Sequence, residues 1–422
     1  MNDTIPFDKD FITSLDETYP TPNYIYDELR IRSNAKALRA SMDDAGVQAF
    51  KNYFAVKALP NPHILKLLHA EGMGADCSSL AELELADRAG FKGSEIMFTS
   101  NNTTMEEFGR AHELGAIINF DDISLVQPYL DQIGVPDYAC CRYNPGDIEF
   151  DGVNEQIIGM PSQAKYGMTK PQILEAYSRL KRAGVKHLGL HTMLLSNELD
   201  FNNHERIADL LFSLAAEIAR ELDITFETVN LGGGIGVPYR PEEKAFDVPT
   251  YARALVSLYE KHGLKNYGAP RIVMENGRFI TADAGYLVTK VINHKHTHKT
   301  YVGVDASMSN LMRPGMYGAY HHITVLGKES TREHQVADVV GALCENNDKF
   351  AIDRDLPVTE EGDYIVIHTV GAHGHAMGFQ YNGKLRSAEL LLKPDKSVQL
   401  IRRAETLDDY FATLTGPIVA IL

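Results

Sequence analysis

The chain has 422 residues, 44% of them hydrophobic, with 41 basic and 57 acidic side chains and a formal net charge of −16. That is apolar material for about two to three domains, and the acidic balance argues against nucleic acid or an anionic membrane surface as partner, since both want a basic face. No apolar run approaches the ~18–20 residues that span a bilayer. MNDTIPFDKDF lacks the regions of a secretory signal, and the cysteines at 77, 140, 141 and 344 form no Cys-x-x-Cys pair that would suggest zinc or a disulfide framework, so no metal is expected and a reduced, cytoplasmic setting fits best.

In chain order, the first strand candidate is Asn23–Tyr26, after Pro20 and Pro22. A helix over 31–46 leads into the apolar stretch YFAVKAL (Tyr53–Leu59), read as a buried strand with Lys57 at its tip. A helix from Pro62 leads to a strand at Gly74–Cys77. Ser79 caps a helix running to Ala89, with Glu82 as capping-box partner. A strand at Ile96–Thr99 is followed by a helix capped by Thr103 or Thr104, a strand at Ala116–Asn119 and a helix over 122–131 that Pro128 weakens. After the strand Tyr138–Tyr143 comes a polar loop ending at Lys165–Gly167. Helices at 170–183, 204–221 and 249–261 then precede strands at Leu188–His191, Thr225–Leu231 and Arg271–Glu275.

Strand and helix in alternation mean a parallel sheet. About eight such units in ~250 residues is the size of a (β/α)8 barrel, assigned to residues 31–285, with a doubly wound open sheet as the alternative. Beyond it the texture is short and β-rich: Tyr286–Ile292, Thr300–Val304, Gln335–Val340 and Asp363–Thr369, with helical periodicity returning only at Thr406–Leu414. Residues 286–422 therefore read as a mainly β domain, which the early strand in residues 1–30 can join.

Barrel chemistry sits at the C-terminal ends of the strands. Those ends carry Lys57, then Asp76, then His191, then Gly232-Gly233-Gly234-Ile235-Gly236, then Glu275-Asn276-Gly277-Arg278. A lysine at an apolar strand tip either snorkels to water or serves as a Schiff-base nucleophile. The glycine run is either a tight turn or an anion cradle of backbone N–H groups. It is neither a Rossmann fingerprint nor a P-loop, because the spacing and the GK[ST] are missing. Taken together the set suits pyridoxal 5'-phosphate. Lys57 would hold the aldehyde, the glycines and Arg278 the phosphate, and Glu275 the pyridine nitrogen, so that the ring becomes an electron sink.

The ordered segments FAVKA, GGGIGVPY, ENGRF, LMRPGMYGAYHH, LCENND and QYNGKLRSAEL resemble the fold-type III decarboxylases that use pyridoxal phosphate, most of all diaminopimelate decarboxylase. The resemblance covers nearly the whole chain. It implies a barrel joined to a β domain made of the C-terminal part plus the first strand, and a head-to-tail homodimer whose subunits complete each other's active sites. It implies Lys57 as the Schiff-base lysine, with Asp76, His191, Gly232, Gly233, Gly234, Glu275, Gly277, Arg278 and Tyr381 around the cofactor. Arg278 and Tyr381 also approach the substrate. Arg313 and Tyr317 would hold a distal carboxylate and Glu345 a distal amino group, while Cys344 from the other subunit would protonate the carbanion.

The expected reaction is decarboxylation of meso-2,6-diaminopimelate to L-lysine and CO2, in lysine biosynthesis; the alternative is a D-ornithine/D-lysine decarboxylase on the same scaffold. Alanine racemase shares the barrel but places an arginine, not a carboxylate such as Glu275, at the ring nitrogen. A non-enzymatic single-barrel binding protein would lack the β domain and Cys344. The chain also departs from the family's usual residues. Met193 stands where a histidine lies against the cofactor ring, Leu195 replaces a glycine, Asn276 a proline and Asn346 a serine, and Gly371-Ala372-His373-Gly374, with His375 next, replaces Gly-Ala-Tyr-Gly.

Overall fold

A computed structural model describes residues 5–148 and 160–415. Part of the polar loop expected before Lys165 lies outside them. The chain divides into two compact units, Arg32–Val237 with Lys244–Ile280, and Met1–Ile31 with Pro238–Glu243 and Thr281–Leu422.

After a first strand β1 (Asn23–Asp27), the eight strands β2 (Lys51–Ala55), β3 (Gly74–Cys77), β4 (Ile96–Thr99), β5 (Ile117–Phe120), β6 (Tyr138–Arg142), β7 (His187–His191), β8 (Thr228–Asn230) and β9 (Arg271–Met274) close into a barrel in sequence order. All its ladders are parallel, and β9 returns to β2 through Lys51 opposite Val273. This is the expected (β/α)8 architecture. Its interior is filled by Tyr53, Met97, Ile117, Tyr138, Cys140 and Val273. The Tyr138 hydroxyl donates to Thr228 at 2.9 Å, which satisfies a buried polar tip. Burial pushes the Cys140 thiol up to about 12, so it packs as a small apolar group.

Local signals set the helix starts. Asn61 accepts from the His63 N–H with Pro62 at the first helical position, and Thr104 and Glu107 form a reciprocal capping box. Ser79 caps Leu80–Ala89 as expected, but Glu82 does not return the bond to it. Its carboxylate accepts from the Ser78 N–H at 2.7 Å and the Ser78 hydroxyl at 2.9 Å, one residue further back.

The second unit is a nine-stranded sheet. It comprises β1, β10 (Gly285–His296), β11 (Thr300–Val304), β12 (Ile323–Val325), β13 (His334–Val340), β14 (Lys349–Pro357), β15 (Tyr364–Ile367), β16 (Ala388–Leu392) and β17 (Val398–Arg402), in the order β14-β13-β11-β10-β1-β16-β17, with β15 pairing both β10 and β12. The N-terminal strand β1 lies inside the sheet, antiparallel to β10 and parallel to β16. Helix Lys9–Thr18, absent from the expectations, is capped by Asp8 and packs Ile12, Phe11 and Leu15 on the apolar cluster of Ile25, Val288, Val366 and Leu390. No helix among the described residues is long and apolar enough to cross a membrane.

Candidate active site

Polar side chains at the C-terminal ends of the barrel strands form one hydrogen-bonded arc. The Asn119 side-chain amide donates to Thr99 Oγ1 at 3.0 Å and meets His191 Nδ1 at 2.8 Å. With the amide as donor, Nδ1 accepts, and the proton of this tautomer lies on Nε2, which faces Glu275 Oε2 at 3.2 Å. Asn230 donates to the other carboxylate oxygen, Oε1, at 2.6 Å. His191, Asn230 and Glu275 are all buried. Burial pushes the Glu275 carboxyl up, but His191, Asn230 and the charge of Arg142 hold it below its ordinary range. Asp76 on β3 goes the other way: burial first, then the Glu275 charge, raise it well above. Within this carboxyl pair, the surroundings favour the proton on Asp76 and the charge on Glu275.

The Lys57 charge draws on both Asp76 and Glu82. Its placement differs from the expected strand tip. β2 ends at Ala55, and Lys57 lies in a single 3-10 turn, Val56–Ala58, with its side chain exposed. Neighbouring carboxylates, rather than an apolar burial site, set it apart.

The glycines are dictated by close approach. A Cβ on Gly232 would strike the Thr192 carbonyl, one on Gly233 the Glu275 carbonyl and one on Gly234 the Leu195 carbonyl, and Gly232 and Gly234 have φ of +68° and +99°. Gly277 admits no side chain either, because its Cβ would lie 2.8 Å from that of Ala58. Asn276 ties these loops to the barrel. Its N–H donates to Asn52 Oδ1 at 2.9 Å, Asn52 donates back to its carbonyl at 3.1 Å, and its Oδ1 accepts from the Ile235 N–H at 3.2 Å. A proline there would keep the carbonyl bond but lose both the N–H bond to Asn52 and the side-chain bond to Ile235. The Met193 sulfur accepts from the Gly233 N–H at 3.1 Å, and its carbonyl accepts from Arg142 at 3.2 Å. Arg278 is buried at the start of the short helix Arg278–Thr281. Asn52, Asn119, Asn230 and Arg142 are absent from the residues expected from sequence. Their signal is polarity inside strands whose neighbours are buried and apolar.

The remaining expected residues collect in the β unit, on three turns. Arg313, 6% exposed, heads the helix Arg313–Tyr317, with its guanidinium 5.3 Å from the Tyr239 ring centre. Gly315 in that helix has no room for a Cβ because the Asn347 carbonyl lies against it. Buried Asp348 organises the turn that carries exposed Cys344 and half-buried Glu345, accepting from the N–H groups of Met308 at 2.6 Å and Leu343 at 2.8 Å. The Cys344 N–H donates to Asn382 Oδ1 at 2.7 Å, which joins this turn to the one bearing Tyr381, 51% exposed. Tyr317, Cys344, Glu345 and Tyr381 thus share one region of one unit.

A lysine beside two carboxyl groups, a glycine turn cleared of side chains and a buried charged glutamate gather at the strand ends of a (β/α)8 barrel, an arrangement with the donors to receive a phosphorylated cofactor. Residues 29–282 match the pyridoxal-binding domain of the pyridoxal-dependent decarboxylases. The chain is 45% identical over 410 residues to Protein TabA of Pseudomonas amygdali pv. tabaci, covering 96% of this chain and 93% of that one. It is 34% identical over 397 residues to the diaminopimelate decarboxylase of Methanothermobacter thermautotrophicus, covering 94% and 92%. Its fold is similar to the crystal structure of diaminopimelate decarboxylase from M. jannaschii in co-complex with L-lysine, with a TM-score of 0.89, 30% identity and 99% of both chains covered. The chain belongs to the fold-type III pyridoxal-dependent decarboxylases, and its cofactor is pyridoxal phosphate.

The residues fit that group. Asp76 Oδ1 is buried without a hydrogen-bond partner, and the Gly232–Gly234 turn is cleared of side chains.

Proposed function

We propose that the enzyme decarboxylates meso-2,6-diaminopimelate at its D-centre to give L-lysine and CO2, in lysine biosynthesis in the cytoplasm, as a homodimer with shared active sites. The observation that carries this reading is Arg313, a buried guanidinium within the same cluster of turns as Cys344, Glu345 and Tyr381. A planar guanidinium grips a carboxylate with paired hydrogen bonds, and diaminopimelate has a carboxylate at each end. The relatives named diaminopimelate decarboxylase support the same substrate. A second reading, decarboxylation of D-ornithine or D-lysine on the same scaffold, draws on Met193 and Leu195 standing in place of the family's histidine and glycine.

When bound, pyridoxal phosphate supplies a protonated pyridine ring that accepts the electron pair released as CO2 leaves. Lys57 provides the amine that holds the cofactor covalently. Gly232, Gly233, Gly234, Gly277 and Arg278 hold its phosphate. Glu275, kept ionised by His191 and Asn230, holds the proton on the ring nitrogen. Burial and the Glu275 charge raise the Asp76 carboxyl, which disfavours a second negative charge there. Arg313 and Tyr317 orient the distal carboxylate and Glu345 the distal ammonium. The Cys344 thiol of the partner subunit gives a proton to the carbon that lost CO2, and Tyr381 lines the substrate.

The test is CO2 release by purified protein on meso-diaminopimelate and on the D- and L-forms of lysine and ornithine. The reading requires diaminopimelate to be the best substrate by specificity constant. A preference for D-lysine or D-ornithine would replace it with the second reading.

A further inference from the structure

We propose that Arg240 and Arg354, stacked on Tyr320, form a second anion-binding subsite in the β unit, one that takes carboxylate or phosphate oxygens of a small acid. The Arg240 guanidinium lies 4.2 Å from the centre of the Tyr320 ring and that of Arg354 lies 4.1 Å from it. At such distances the two cations take opposite faces, because on one face they would overlap. Arg354 is fixed further by donating to the His321 carbonyl at 3.1 Å. Stacking occupies the flat face of a guanidinium and leaves its N–H edges to bind an anion.

Among the described residues, neither arginine forms an ion pair with a carboxylate. Exposed Glu242 forms no ion pair with Arg240, and the other acids nearest in sequence are engaged elsewhere. Asp353 pairs with Lys299 at 2.8 Å, Asp355 with His334 at 3.1 Å, and Glu243 accepts from the backbone N–H groups of Tyr239 and Arg240 at 2.7 and 3.0 Å. Burial holds the Arg354 guanidinium below its ordinary range; Tyr320 opposes that, and the Arg240 charge adds to it. In a chain of net charge −16, two neighbouring cations without an acid are a local reversal of sign that an anion would relieve.

The subsite continues toward Arg313. Arg240 follows Tyr239, whose ring carries Arg313 on one side and meets the His321 ring edge-on, with centroids 5.1 Å apart. The class of ligand is therefore a small acid with an anionic group beyond the carboxylate that Arg313 takes. That extension rests on the reading of Arg313 given above, whereas the anion subsite itself does not.

Purified holoenzyme is titrated calorimetrically with glutarate and, separately, with inorganic phosphate, for wild type, Arg240→Met, Arg354→Met and Arg313→Met. Wild type is expected to bind at least one of the two. Loss of a charge-assisted bond in Arg240→Met should weaken that binding about tenfold or more, with the cofactor absorption unchanged. Dependence for glutarate alone assigns a carboxylate ligand and dependence for phosphate alone a phosphate ligand. Arg240 is exposed, so its replacement leaves the fold intact. Retention of the binding in Arg313→Met keeps the subsite standing even if the diaminopimelate reading fails. Absence of binding in wild type, or equal affinity in wild type, Arg240→Met and Arg354→Met, overturns the proposal.

Discussion

The barrel and the β unit hold their candidate residues in different ways. In the barrel, Asn119, His191 and Asn230 sit on the last residues of strands, with Glu275 immediately after one, and they bond to one another side chain to side chain. In the β unit, Arg313, Cys344, Glu345 and Tyr381 sit on turns, and backbone groups tie those turns together through Asp348 and Asn382. Strand ends in a closed barrel cannot shift one at a time, whereas turns tolerate change. The contrast suits a division of labour, a fixed grip on the cofactor and an adaptable reading of the substrate.

The largest effect tests the fixed side. Lys57→Ala should lose nearly all turnover together with the near-visible band of covalently held cofactor. A variant that keeps that band would show that another lysine carries the cofactor. Next comes the shared-site claim, which separates the two regions by subunit. Inactive Lys57→Ala mixed with inactive Cys344→Ala should regain part of the wild-type activity, because a hybrid dimer contains one intact site. No recovery, with exchange demonstrated by mass spectrometry, would place both residues in the same subunit's site.

A smaller effect is expected where one barrel residue props another. Asn230→Ala removes a bond to a charged group, worth roughly 1.5–3 kcal/mol, and lets the Glu275 carboxyl rise. The pH at which turnover falls on acidification should move upward, by more than in a Cys344→Ser control. An unmoved profile would show that Asn230 does not govern the charge on Glu275.

The smallest effect is on stability. Burial, the largest cause for each, pushes His204 of the barrel unit and His375 of the β unit down to about 4, and His368 of the β unit down to about 3. Below about 6.5 the unfolded chain takes up protons that these folded sites refuse, so their stability is complete above that pH and is lost as pH falls toward 4. Two of the three lie in the β unit, so hydrogen exchange compared at pH 7 and pH 5 should show the β unit loosening first. Earlier loosening of the barrel would reverse the comparison.

The same contrast explains what could be read from the sequence. Barrel strands buried on both faces are near-continuous apolar runs, and residues such as Asp76, His191 and Glu275 interrupt them at their ends. The strands β12, β14 and β16 were hidden because β12 spans only Ile323–Val325, β14 ends in DRDLP, and β16 is the helix-favouring run AELLL; β17, VQLIR, has no such reason. Lys57 was legible as special, but its reason was not. Barrel order puts Asp76 on the same rim as Lys57, but a chain read in order does not bring Glu82 there as well. The Asn52–Asn276 pair joins residues more than two hundred positions apart, so neither asparagine announces the other.

The central claim is that Arg313 reads a distal carboxylate. The most direct measurement is kcat/KM on meso-diaminopimelate, D-lysine and D-ornithine for wild type and Arg313→Met. Stranding that carboxylate should cost about 3–4 kcal/mol, or two to three orders of magnitude on diaminopimelate, with D-lysine and D-ornithine nearly unaffected. A wild type that already prefers D-lysine or D-ornithine, with a ranking that Arg313→Met leaves in place, would contradict the account.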